Sequence, residues 1–305
     1  MNEHYLNAVR LLLAVAPAVF RDSTFALKGG TAINLFVRDM PRLSVDLDLV
    51  FVDHTTNRDV ALATVSQSLE SIRSELVDLD FRCSVGATSE GSEVKLFVER
   101  DKTRIKIEVN YVFRGTVLKV ENFPLVASAQ DTFYSDIEVP VLDPDELYGS
   151  KLVAAMDRQH PRDLFDVLGL YATGGLTPGI VECFICYLVG HNRPVHEVLF
   201  ANEIDVAPAF HNEFEGMARE PVTLDDLLEV RRRLYAELPA ALSVNHRSFL
   251  LGVVNGEPDW SLMSCGHLRD MPAIRWKLEN LARLKRSNPK KFSQQAAELE
   301  TRLQG

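Results

Sequence analysis

Residues 44–52 read Ser44-Val-Asp-Leu-Asp-Leu-Val-Phe-Val52. Apolar and polar residues alternate over most of this stretch, which predicts a β-strand with Val45, Leu47, Leu49 and Phe51 on one face. Asp46 and Asp48 then share the opposite face, roughly 6.6 Å apart along the backbone. At an effective dielectric of about 20, two like charges at that separation repel by about 2.5 kcal/mol. Such a pair persists where the face is wet, where basic side chains compensate, or where a cation lies between the carboxylates. A solvent-facing edge strand meets the first condition and a metal-binding strand the last.

A second stretch, Arg104-Ile-Lys-Ile-Glu-Val-Asn110, alternates in the same way, with Ile105, Ile107 and Val109 on one face and Lys106, Glu108 and Asn110 on the other. If the two strands are neighbours, Glu108 is a third carboxylate beside Asp46 and Asp48. Three oxygen donors on adjacent strands suit Mg²⁺, which leaves positions for phosphate and water. Upstream lies Lys28-Gly29-Gly30-Thr31. A glycine pair lets backbone amides approach an anion, and Thr31 can donate its hydroxyl to a phosphate. The same pair also serves as a plain strand-to-helix connector. It is not a P-loop, because the lysine precedes the glycines.

Around these stretches the first half reads as mixed α/β. Helices are expected at 3–20, 30–37 and 58–76, and strands at 24–27, 81–87, 93–98, 104–112 and 138–142. From Asp143 the pattern becomes helical, with helices at 144–158, 161–173, 178–190, 223–238, 273–287 and 289–303. Prolines near several of their starts fit the first helical turn. The expected plan is α+β, with a mixed-sheet core over 1–142 and an all-helical part over 143–305.

The chain has 305 residues, 46% of them hydrophobic and 25% charged, which are ordinary globular values. No apolar run reaches the roughly 18 residues of a membrane span, and no basic flank precedes the N-terminal apolar stretch, so neither a membrane anchor nor a secretory signal is expected. Four cysteines make no disulfide framework and point to a reducing cytoplasm. The net charge of −10 opposes general nucleic-acid binding but leaves room for a local basic surface. Lys277, Arg283, Lys285, Arg286, Lys290 and Lys291 gather near the C-terminus. Ile274, Leu278, Leu281 and Leu284 recur between them at helical spacing and are expected to face a core. Cys183 and Cys186 lie in an apolar helix without a second ligand pair and read as core. The histidines are scattered, and no serine stands in a nucleophile turn.

A further block reads Glu146-x-x-x-x-Lys151-x-x-Ala154-x-x-x-Arg158-x-x-x-Arg162-Asp163-x-x-Asp166. Leu147, Lys151, Ala154 and Arg158 fall on one helix face, and Ala154 leaves an open lane between two cations in which a phosphate fits. The alternative is a solvated Lys151 beside an Arg162–Asp166 surface pair.

The run Leu27-Lys-Gly-Gly-Thr-Ala-Ile-Asn-Leu35, followed by Arg42-Leu-Ser-Val-Asp-Leu-Asp-Leu49 and the block from Glu146 to Asp166, resembles the AbiEii/AbiGii nucleotidyltransferase toxins of the polymerase-β-like superfamily. The resemblance continues weakly through Pro258-Asp259-Trp260 to Pro272-Ala-Ile-Arg-Trp-Lys277. It implies a polymerase-β-like core and a Mg²⁺-dependent enzyme, with Mn²⁺ as a substitute, that moves a nucleoside monophosphate from an NTP to an RNA hydroxyl. The implied acceptor is the tRNA 3′ end, so that translation stops, within a toxin–antitoxin or phage-defence system with a neighbouring antitoxin. Asp46, Asp48 and Glu108 would hold metal, and Glu108 would also serve as the base. Lys28, Gly29, Gly30, Thr31, Arg158 and Arg162 would bind nucleotide. Lys151 and Asp166 match positions the family needs for activity, and the C-terminal cations would hold RNA. In the family the third strand position is often Asp, where this chain has Glu108. A protein hydroxyl as acceptor, as in AMP-transferring relatives, and an inactive binding module are the alternative readings.

Overall fold

The Asp-x-Asp strand occupies the centre of a seven-stranded mixed sheet. The structure is a computed structural model and describes residues 2–87 and 93–304. The strands are β1 (Phe25–Lys28), β2 (Asp46–Phe51), β3 (Arg82–Ala87), β4 (Glu93–Arg100), β5 (Thr103–Asn110), β6 (Glu121–Pro124) and β7 (Glu138–Val141). Their spatial order is β3-β4-β5-β2-β1-β7-β6. β2 runs parallel to β5 and β1 parallel to β7, and the remaining neighbours are antiparallel.

The chain divides into two compact units, Met1–Leu147 with Phe214–Pro221, and Tyr148–Glu213 with Val222–Gly305. In the first, α1 (Glu3–Val19) packs across β5 and against α3 (Arg58–Asp78), while α2 (Gly29–Ala32) and α4 (Ala127–Phe133) are short. Leu47, Leu49, Ile105, Ile107 and Val109 are all buried, and each contributes about 1.5–3 kcal/mol by leaving water. The period-two pattern therefore sorts the central strands into an apolar face and a charged one. The helix expected at 30–37 is α2 running into a π-helical turn, Ile33–Val37, a form frequent at functional sites.

β2 begins two residues later than expected because the preceding backbone pairs elsewhere. Leu43 N–H donates to Met217 O at 2.9 Å, Arg219 N–H donates to Pro41 O at 2.8 Å, and Arg42 bridges to Ala218. Phe214 and Met217 are buried with them. The segment Phe214–Pro221 is thus a strap returning to the sheet-bearing unit, where the sequence had suggested only helical structure.

The second unit is helical. α5 (Pro144–Asp157) enters it, followed by α6 (Pro161–Ala172), α7 (Pro178–Gly190), α8 (Val195–Leu199), α9 (Ala207–Glu213), α10 (Leu224–Ala240), α11 (Val244–Asn255), α12 (Pro272–Ser287) and α13 (Pro289–Gln304). α7 is the most apolar, and Cys183 and Cys186 are buried in it. A Cβ on Gly149 of α5 would stand 2.6 Å from Cys183 Cβ and 2.7 Å from Phe184 N. Only glycine lets those two helices approach so closely. Among the described residues no helix is long and apolar enough to cross a membrane.

Candidate active site

Strand register sets the charged face. Lys28 of β1 stands opposite Asp48 of β2, Asp48 opposite Glu108 of β5, and Glu108 opposite Lys95 of β4. Directly opposed residues share a face, so one row across four strands reads Lys95, Glu108, Asp48, Lys28. The next row reads Phe97, Lys106, Asp46. Glu108 is engaged by the two lysines beside it. Its carboxylate accepts an ion pair from Lys106 and lies 3.5 Å from Lys95 Nζ, and its side chain is only 15% exposed. Burial disfavours the charge on Lys106, yet the hydrogen bond to Glu108 and the fields of Asp46, Glu108 and Asp48 prevail, and its pKa is raised. Among the described residues no three His, Cys, Asp or Glu side chains form a metal-holding group. The three carboxylates expected from the sequence share one face, and Glu108 is the one engaged by lysines. Mg²⁺ commonly takes only one or two protein carboxylates beside substrate phosphates, and Asp46 and Asp48 fit that.

The glycine pair lies against this face. Gly29 has φ +74°, and a Cβ there would stand 2.4 Å from Asp48 Oδ2. A Cβ on Gly30 would stand 2.6 Å from Arg42 Nη2. Both glycines are required by close approach, and Gly29 also by its left-handed backbone. Thr31 is nearly fully buried. Its hydroxyl donates to the Asp46 carbonyl and lies 3.0 Å from Ser44 Oγ. A hydroxyl has one proton to give, so Thr31 ties the start of β2 to the turn. Lys28 is half-buried and forms no ion pair with another described residue.

In the helical unit, Lys151 is not on an open lane. Its side chain is 6% exposed, and its Nζ lies 3.0 Å from both Asp163 Oδ1 and Asp166 Oδ2. Arg158, largely exposed, closes the cluster through Nε at 2.6 Å from Asp163 Oδ2. Burial raises the Asp163 pKa, but Lys151 and Arg158 outweigh it and hold the carboxyl well below its ordinary range. Asp166 therefore pairs with Lys151 and not with Arg162. The Arg162 guanidinium meets no carboxylate among the described residues and lies 3.5 Å from His160 Nδ1. Of the C-terminal cations, Arg283, Lys285, Arg286, Lys290 and Lys291 are exposed. Lys277 is not. It is buried, and its Nζ donates to His191 O at 2.9 Å and Arg193 O at 2.6 Å.

A glycine turn against a strand with two aspartates, in a mixed sheet followed by helices, is the arrangement the resemblance implied, and comparison with known proteins bears on it directly. The sequence profile described as "Nucleotidyl transferase AbiEii toxin, Type IV TA system" matches residues 10–280. The chain belongs to the AbiEii nucleotidyltransferase toxin family. Its fold is similar to MenT4, nucleotidyltransferase toxin Rv2826c from Mycobacterium tuberculosis H37Rv, with a TM-score of 0.56 and 19% identity over 90% of this chain and 93% of that one. No curated protein matches. Family membership makes this AbiEii chain a nucleotidyltransferase of a type IV toxin–antitoxin system, with an NTP substrate and a cognate antitoxin.

Several residues around the AbiEii site escaped the sequence reading. Lys106 and Lys95 flank Glu108, and for Lys106 the signal was present, since it shares Glu108's face two residues earlier. Arg42, only 2% exposed beneath Gly30, had no signal beyond its place in the motif. Glu146 is fully buried and accepts from the backbone N–H groups of Val117 and Leu118, each at 2.8 Å. It fixes the loop after β5. Asp163 was visible only as part of the Arg162-Asp163-x-x-Asp166 run.

Proposed function

We propose that this AbiEii toxin transfers a nucleoside monophosphate from an NTP to an RNA hydroxyl in a Mg²⁺-dependent reaction, and that the acceptor is the tRNA 3′ end. The observation that supports it most is the charged face against a glycine turn, which offers Asp46, Asp48 and an unpaired Lys28 together. Asp46 and Asp48 would hold the divalent ion, which would neutralise phosphate charge and lower the pKa of the attacking hydroxyl. Lys28 and the backbone N–H groups of the Gly29–Gly30 turn would receive the triphosphate. The acceptor oxygen bonds to the α-phosphorus as the bond to the bridging oxygen breaks, pyrophosphate leaves, and the hydroxyl proton passes to water. Glu108, neutralised by two lysines, is not the base; it orders the charged face. The exposed cations of α12 and α13 draw RNA to a protein that is otherwise acidic.

Purified protein incubated with each labelled NTP, Mg²⁺ and total tRNA tests this reading. Label should enter tRNA, and Asp46→Asn or Asp48→Asn should lower the rate at least about 10³-fold, or about 4 kcal/mol, with unfolding midpoints retained. Label in protein and none in tRNA would shift the acceptor to a protein hydroxyl.

A further inference from the structure

The two rows of the charged face nearest the glycine turn hold three carboxylates, Asp46, Asp48 and Glu108, and three lysines, Lys28, Lys95 and Lys106. Two of those lysines are committed to Glu108. Lys106 stands opposite Asp46 in the register and two residues from Glu108 on the same face. It is thus a cation within reach of the carboxylates that would receive a metal ion, and its side chain is only 28% exposed.

Resting on the metal assignment above, we propose that Lys106 is a built-in counter-cation. It occupies the field of the aspartate pair when no metal is present, and so makes the site take its divalent ion together with nucleotide instead of alone. With three positive and three negative groups these two rows are neutral. A lone divalent ion would leave them two charges positive, with Lys106 as a repulsive neighbour. An NTP brings about four negative charges, so two divalent ions and one NTP restore neutrality. The lysine thereby couples metal affinity to nucleotide binding and keeps Asp46 and Asp48 ordered between turnovers. Glu108 holds Lys106 in place and is a positioning residue, not a ligand. The device depends on charge at that point and not on packing, because an arginine would preserve it and a methionine of similar length would not.

Calorimetric titration of Mn²⁺ into the full chain, with and without an NTP analogue that cannot be cleaved between its α and β phosphates, tests the coupling. Wild-type protein should bind Mn²⁺ at least tenfold more tightly with the analogue than without it. Lys106→Met should raise the affinity for Mn²⁺ alone at least tenfold and shrink the effect of the analogue, while Lys106→Arg should behave as wild type. If Lys106→Met is too unstable to titrate, its melting temperature should rise with Mn²⁺ alone by more than that of wild type. Affinity for Mn²⁺ alone that is unchanged or weaker in Lys106→Met, or a melting temperature no more responsive, overturns the proposal. If instead Asp46→Asn binds Mn²⁺ as tightly as wild type in the presence of the analogue, the metal assignment itself fails.

Discussion

Lys151 and Lys277 are both buried, and they are held by opposite means. Lys151 sits between two carboxylates, and removing one partner of a buried ion pair typically costs about 3–5 kcal/mol. Lys151→Ala is therefore expected to lower the urea midpoint markedly, and lost activity in that variant is not by itself a sign of catalysis. The triple replacement Lys151→Met, Asp163→Asn, Asp166→Asn should recover much of the stability, since it removes the stranded charges too. A wild-type midpoint for Lys151→Ala would contradict the buried cluster. Lys277 has only carbonyl partners, so desolvation dominates, the field of Glu197 opposes it weakly, and its pKa falls to about 8. The unfolded chain, with an ordinary lysine value of about 10.4, holds that proton more firmly. Between those two pH values the unfolded state binds more protons, so this residue makes stability rise with pH from about 8 to about 10.4. Unfolding measured across that range should show the rise in wild type and its loss in Lys277→Met.

Among the elements, α12 and α13 separate what the sequence could say from what it could not. The apolar recurrence through Ile274 and Leu281 marked their inner face, and both residues are buried, whereas Leu278 and Leu284 are half-buried. Nothing in that recurrence revealed that Lys277 turns inward, because its acceptors are backbone carbonyls some 85 residues away. For the same reason Lys151 reads as a solvated cation until α6 is packed beside α5. The period-two strands were legible because alternation is a local property, and β2 and β5 are neighbours as expected. β6 was not legible, since Glu-Asn-Phe-Pro has no alternation and its proline suits only an edge. The exposed cations of α12 and α13 carry their own expectation. Changing Lys285, Arg286, Lys290 and Lys291 to glutamate should raise the tRNA KM and flatten its salt dependence, by about 0.7 in slope for each phosphate no longer engaged. NTP affinity should not change. Lys285 also lies 5.4 Å from the Phe292 ring centre, so a loss of about 0.5–1 kcal/mol in stability is expected alongside.

At the scale of the whole molecule, the division into units does not follow the chain in order. A boundary at 142/143 was expected, whereas the sheet-bearing unit runs to Leu147 and then reclaims Phe214–Pro221. A fragment of residues 1–147 lacks Phe214 and Met217, whose burial is worth about 1.5–3 kcal/mol each, and the hydrogen bonds to Pro41 and Leu43. Its melting temperature should lie well below that of the full chain, and a synthetic peptide of residues 210–224 should raise it. A fragment insensitive to the peptide would show that the strap is dispensable.

The strap also has a consequence in time. A nascent chain leaving the ribosome exposes all seven strands long before the segment that anchors the start of β2 has been made. At about 5–20 residues per second, the 74 residues from Tyr148 to Pro221 take about 4–15 s to synthesise. Throughout that interval the two aspartates have been translated but the backbone ahead of them lacks its anchor, so the start of β2 gains its last hydrogen bonds only after Pro221 has been made.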